Sequence, residues 1–241
     1  MTLLEDIIKT IMDKGEIISK EKISQSVYKI QIQSDAVKTM DFVPGCFIRL
    51  GVGIGKDVTS KKDMVRSYSI WDIDQDLKTF SLAIATHSNG IGAQWAEDCT
   101  VGDNVYYKTK TGKFTVDNSA DSYLMIGDLS ALSHLYIINR YLSEDKEIES
   151  IIYNINVAEL YPDINNNTPF NFYDIEENNL KEIIAQIENV IPNLKGEKMA
   201  YIAGDSRVCI AINQYLRNEL KWNTKQIKTK PFWNPDKTGL E

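Results

Sequence analysis

The period of the apolar pattern changes once along this 241-residue chain, near residue 118, and that change limits the folds open to it. Before it, apolar residues recur in short alternating runs: Ile18, Ile23, Val27, Tyr28, Ile30 and Ile32, then Phe42 to Leu50, then segments around 66–71, 79–86 and 104–109. Short strands with turns between them predict a small antiparallel β-barrel. Pro44-Gly45 joins a fixed φ to a permissive one and predicts a turn. After residue 118, strands and helices alternate. Strands are predicted over 123–126, 151–157, 170–173 and 199–203, and helices over 131–142, 179–190 and 207–220. That order predicts an open parallel α/β sheet. Two domains are therefore expected, 1–118 and 119–241, with the polar stretch Asp117 to Ser122 as linker.

The first residues predict an amphipathic helix with Leu3, Leu4, Ile7, Ile8 and Ile11 on one side. They carry acids and lack a basic start and a small-residue cleavage site, unlike a signal peptide. Residues 51–65 form a polar, glycine-containing loop with Lys56, Lys61 and Lys62. No apolar run approaches ~20 residues, so no membrane span is expected. Cys46, Cys99 and Cys209 are far apart and have no C-x-x-C spacing, which argues against zinc, an iron–sulfur cluster or a disulfide frame. A reducing cytoplasm fits that usage. With two histidines in the chain, a His-rich metal site is not expected. The net charge of −7 lacks the basic balance of a nucleic-acid binder. The charge is uneven: residues 144–188 hold eleven acids and two lysines. Residues 221–237 hold Lys221, Lys225, Lys228, Lys230 and Lys237 against Asp236 alone. That basic end suits a solvated tail, or the attraction of an anionic ligand to one cleft.

The chemistry concentrates between Arg66 and Phe114. Arg66-Ser67-Tyr68-Ser69 opens a strand; a glycine-rich turn, Asn89-Gly90-Ile91-Gly92, then feeds a short helix over 93–98. An arginine grips phosphate with two charge-assisted hydrogen bonds. A tyrosine two residues on shares its strand face and offers a flat ring for stacking. A helix start offers backbone N–H groups and a partial positive charge to a pyrophosphate. Later, two predicted strands end in the same pair, Gly127-Asp128 and Gly204-Asp205. Strand ends of this kind border ligands in α/β sheets, and the same pairs also suit a glycine turn with a capping aspartate.

These residues resemble the siderophore-interacting protein family, the FAD-dependent ferric-siderophore reductases within the ferredoxin–NADP reductase superfamily. That family carries R-x-Y-[ST], then H-x-x-G-P-A-S-x-W-A-x-x-x-x-G-D. Here stand Arg66, Tyr68 and Ser69, then His87, Gly90, Ile91, Gly92, Ala93, Trp95, Ala96 and Gly102-Asp103. Gly127-Asp128-Leu129-Ser130-Ala131-Leu132 resembles the family's G-D-E-T-A-L, Ala203-Gly204-Asp205 its A-G-E, and Phe232-Trp233 with Lys237 its terminal Y-W-x-x-G-[KR]. Ile91, Gly92 and Ala93 depart from the family's proline, alanine and serine. The resemblance implies a flavin-binding barrel and a nicotinamide-binding-like α/β domain. It implies FAD held by Arg66, Ser67, Tyr68, Ser69, His87, Gly90, Ile91, Gly92, Ala93 and Trp95, with Ser69 near flavin N5 and no acid–base residue. NADH or NADPH would approach along Gly127, Asp128, Ser130, Gly204 and Asp205. A ferric siderophore would meet Lys237, with Lys61 or Lys62 behind it. Glu159, after the 151–157 strand, disfavours a 2′-phosphate, which points to NADH over NADPH or to no nicotinamide use. The alternatives are a flavin reductase with another acceptor, such as ferredoxin, and a non-catalytic flavin-binding module.

Overall fold

A computed structural model describes residues 3–56, 61–88 and 90–237, with the backbone alone at Leu3, Leu4, Lys61 and Lys62. The chain divides into two units, one ending at Gly112 and the other beginning at Lys113. The sequence places that boundary at 118. Side chains explain the shift. Phe114 stacks edge-on against Tyr201 at 5.3 Å, Tyr201 Oη donates to the Thr115 carbonyl at 2.9 Å, and Lys228 pairs with Asp117 at 3.1 Å. Residues 113–117 are thus bolted to the second unit.

The first unit runs α1 (Leu3–Ile11), β1 (Asp13–Ser24), β2 (Val27–Gln33), β3 (Phe47–Leu50), α2 (Lys61–Met64), β4 (Arg66–Ser69), β5 (Asp72–Asp74), β6 (Thr79–Ala85), α3 (Ile91–Asp98) and β7 (Asn104–Lys110). Seven strands form one antiparallel sheet in the order β4-β3-β7-β1-β2-β6-β5. Its edge strands β4 and β5 are joined through Ile70 and Trp71, and the Trp71 N–H donates to the Ser81 carbonyl on β6 at 2.9 Å. The sheet therefore curls into the expected barrel, around Ile17, Ile30, Ile32, Ile48, Leu50, Phe80, Leu82 and Tyr107. Gly45, at φ 96°, lets the Cys46 N–H reach the Val43 carbonyl at 2.8 Å and turns the chain into β3. The loop over 51–65 contains α2, which the sequence reading missed. In α1, Ile8 is buried, yet Ile7 and Ile11 are 49% and 62% exposed. The inward face instead includes Glu5, whose carboxylate accepts from the Gly55 N–H at 2.8 Å.

The second unit runs β8 (Ser122–Asp128), α4 (Leu132–Arg140), β9 (Glu147–Asn154), β10 (Phe172–Asp174), α5 (Leu180–Val190), β11 (Lys198–Asp205), α6 (Ser206–Asn218) and β12 (Ile227–Trp233). All five strands are parallel, ordered β10-β9-β8-β11-β12. Every residue of β8 is buried, because it lies mid-sheet under helices; this is why its sequence is a run rather than an alternation. Leu124, Ile126, Ile151 and Ile202 pack with Ile183 and Ile187 of α5 and Ile212 and Leu216 of α6. The predicted 151–157 strand begins and ends earlier, at Glu147 and Asn154, and Glu159 sits buried in a 3-10 turn beyond it. The basic end is no loose tail: β12 is an edge strand, and Lys228 lies over the Tyr201 ring at 5.5 Å. Among the described residues, no helix is long and apolar enough to cross a membrane.

Buried His134 ties this unit together. Its Nε2 lies 2.9 Å from the Phe114 carbonyl, and its ring meets Phe114 and Phe232 at 5.1 and 5.6 Å. Burial, the dominant cause, pushes its pKa down to about 4. A depressed histidine pKa stabilises the fold above ~6.5 and loses that contribution as pH falls from there toward 4. Chemical unfolding of the second unit at pH 7 and pH 5 is expected to show a loss of about 2 kcal/mol that vanishes in His134→Gln. An equal loss in the variant would assign it to other groups.

Candidate flavin and nicotinamide site

In the first unit, β-pleat alternation sets Arg66 and Tyr68 on one face of β4 and Ser67 and Ser69 on the other. Ser67 and Ser69 register with Arg49 and Phe47 of β3. Arg66 is braced from behind: Nη1 donates to the Val65 carbonyl at 2.9 Å and Nη2 to Asp63 at 3.2 Å. Asp63 was missed in the sequence, although its i, i+3 spacing to Arg66 was a signal.

The α3 start meets this face. A Cβ built on Gly92 would fall 2.1 Å from the Tyr68 hydroxyl and 3.4 Å from Arg66 Cγ. In this conformation an alanine at 92, the family's residue, would require the Tyr68 hydroxyl to shift. Gly90 is the N-cap, so the cap residue offers no side-chain acceptor, and the first turn holds no acid. The other end of α3 is neutralised by the barrel: Lys20 Nζ donates to the carbonyls of Glu97 and Cys99, each at 2.7 Å. A cation at the C-terminus complements the helix dipole and leaves the N-terminus receptive to an anion. Ala93 is buried in that first turn, while Ile91 and Trp95 pack against the barrel core. His87 is exposed ahead of it, and Asn89 lies outside the described residues.

In the second unit, Gly127, Asp128, Ser130, Gly204 and Asp205 converge at the carboxyl ends of β8 and β11. A Cβ on Gly127 would lie 2.9 Å from both Ala131 Cβ and Leu135 Cδ1, so glycine here lets the next helix pack down. Asp128 accepts four donors: the Ser130 N–H (2.9 Å) and hydroxyl (2.5 Å), the Asp205 N–H (2.7 Å) and Trp233 Nε1 (2.9 Å). Gly204, at φ 118°, has its Cβ position 2.3 Å from that carboxylate. Burial first, then the Asp128 charge, pushes the facing Tyr153 hydroxyl well above its ordinary pKa. Trp233, the second aromatic of the terminal Phe-Trp pair, is the indole donor to Asp128. Lys237 is exposed in the turn after β12. Lys61 and Lys62 open α2 in the other unit, and their side chains lie outside the described residues.

An antiparallel barrel with an anion-receptive helix, followed by a parallel α/β sheet, is the fold of ferredoxin-reductase-like flavoproteins. Phthalate dioxygenase reductase, described as a modular structure for electron transfer from pyridine nucleotides to [2Fe-2S], superposes with a TM-score of 0.70 and 16% identity, over 97% of this chain and 70% of that one. The chain belongs to the siderophore-interacting protein family: the family's FAD-binding domain matches residues 19–109, and its siderophore-interacting protein model matches residues 120–236. The siderophore-interacting protein of Acinetobacter baumannii superposes with a TM-score of 0.76 and 14% identity, over 93% of this chain and 91% of that one. NADH-cytochrome b5 reductase 1 of Scheffersomyces stipitis is 31% identical over 157 residues, 61% of this chain; the chain spans about half the length of that curated relative.

Replacing Gly92 by valine puts methyl groups where the Tyr68 hydroxyl lies. The expected outcome is a folded protein that no longer retains added FAD through dialysis, read by visible absorbance. Retention equal to wild type would dissociate Gly92 from the site.

Proposed function

We propose that this chain is a flavin-dependent reductase that takes electrons from NADH or NADPH and delivers them to a ferric siderophore, releasing Fe(II). The observation that carries the proposal is the meeting of Arg66, Tyr68 and Gly92 at the uncapped start of α3. These residues fit FAD. The N–H groups of Gly90 to Ala93 and the guanidinium of Arg66 suit its pyrophosphate, and Tyr68 offers its flat ring system a stacking surface. Ser69, last in β4, would offer its hydroxyl to the edge of that ring near N5. Bound FAD supplies the conversion between two-electron and one-electron transfer. The chain's part is to bind, orient and tune, without an acid–base side chain.

Ala93 lacks the hydroxyl that the family's serine gives, a bond to a charged group worth about 1.5–3 kcal/mol, and backbone donors share that task. Gly127, Ser130 and Gly204 shape the edge that a nicotinamide would meet. Asp128 contributes through the loop form it fixes, since its oxygens face the chain's own donors. Lys237 in the second unit would attract an anionic ferric chelate. We place this chemistry in the cytoplasm, in keeping with three free, buried cysteines. A second reading, exchange of electrons with a ferredoxin-type iron–sulfur protein, is favoured by the likeness to phthalate dioxygenase reductase.

The test is anaerobic. The FAD-loaded protein is expected to bleach near 450 nm on NADH and to recover its colour with a ferric siderophore. Recovery with an oxidised ferredoxin alone selects the second reading, and a yellow protein that neither NADH nor reduced ferredoxin bleaches overturns both. Arg66→Ala is expected to weaken FAD binding roughly 10- to 100-fold, the equivalent of one lost charged contact, by equilibrium titration.

A further inference from the structure

The order of the second sheet reverses between β8 and β11: β9 and β10 lie on one side of β8, β11 and β12 on the other. In open α/β sheets ligands settle in the crevice at such a switch point, and phosphates take the N–H groups of the helix starts that line it. Both turns at this switch point already hold an anion, and it belongs to the chain. The Asp128 carboxylate takes the Ser130 N–H of the turn after β8 and the N–H of Asp205, the last residue of β11. The Asp205 carboxylate caps α6 through the Arg207 N–H at 2.9 Å. It also holds the guanidinium of Arg207, Nε at 3.1 Å and Nη2 at 2.5 Å. Both carboxylates are buried, at 6% and 2% exposure. Arg207 is kept charged first by its hydrogen bonds to Asp205, and the charges of Asp236 and Glu177 act on it in the same direction. A pyrophosphate entering here would displace a buried carboxylate and meet like charge. The contrast with α3, whose cap is glycine and whose first turn has no acid, lies within the same chain.

We propose that Asp128 and Asp205 are specificity-determining residues that keep the pyrophosphate of a nicotinamide dinucleotide off the strand ends of the second unit, so that the donor is accepted through its nicotinamide end. This rests on the nicotinamide-dependent reading above. A reduced nicotinamide mononucleotide then serves as well as NADH, and a 2′-phosphate brings no gain.

The FAD-loaded full chain is assayed with NADH, NADPH and reduced nicotinamide mononucleotide, and is titrated with millimolar ADP-ribose by calorimetry. The expected result is KM values within roughly threefold of one another, too small a spread for a charged contact, and no ADP-ribose heat. Asp205→Asn keeps a good helix cap while releasing Arg207 from a carboxylate. It is expected to bind ADP-ribose and to lower KM for NADH about tenfold, the effect of one phosphate contact. Sub-millimolar ADP-ribose binding by the wild type, or a KM raised about a hundredfold by truncating the donor, overturns the proposal. If no nicotinamide bleaches the flavin, the reductase reading falls while calorimetry still decides this one: wild-type heat overturns it, and heat confined to Asp205→Asn supports it.

Discussion

A chain that passes from strand to helix leaves several backbone N–H groups aimed past the last strand residue, and each needs an acceptor. Much of this protein follows from how it meets that requirement. In the first unit the cap of α3 is glycine, the first turn has no acid, and Lys20 satisfies the opposite end of the helix. In the second unit aspartates complete the junctions after β8 and β11. One junction has no side-chain cap and two are capped by the chain's own carboxylates. In the function proposed above, that difference would separate a unit that holds a cofactor from a unit that a soluble donor visits.

Two glycines make these arrangements possible for opposite reasons. Gly92 has an ordinary helical place, and its missing Cβ lets the Tyr68 hydroxyl rest against the helix start. Gly204 has φ 118°, a region closed to most residues, and its missing Cβ lets the Asp128 carboxylate lie against the backbone. Around Asp128, three strands are tied at one end: β8 supplies the carboxylate, β11 the Asp205 N–H, and β12 the Trp233 indole. The tie crosses 105 residues of sequence between Asp128 and Trp233.

The architecture was largely legible, because a two-residue period and a strand–helix alternation cannot occupy the same fold. Strand and helix positions in both halves follow those periods, and the Arg66–Ser69 strand stands where its chemistry suggested, whereas the helix expected from residue 93 already begins at Ile91, so that Gly92 is helical rather than part of a turn. The exceptions share a cause. Ile7 and Ile11 satisfy a helical stripe yet face solvent, since Glu5 is drawn inward by the Gly55 N–H. The boundary lies at Gly112 rather than 118 because Phe114 and Thr115 bond to a sheet formed much later in the chain. Asp63 and the indole of Trp233 joined the site through contacts that local pattern does not encode.

By itself, the sequence determined the two-unit plan, the barrel and parallel sheet, and the residues able to grip a phosphate and a flat ring, because periodicity and side-chain chemistry are local properties. Only the tertiary structure decided which helix starts stay open and which are filled. An acidic residue after a glycine looks the same in sequence whether its oxygens face a ligand or the chain's own donors. What tells the two apart is the distance to an indole, a hydroxyl and two amides brought together by folding.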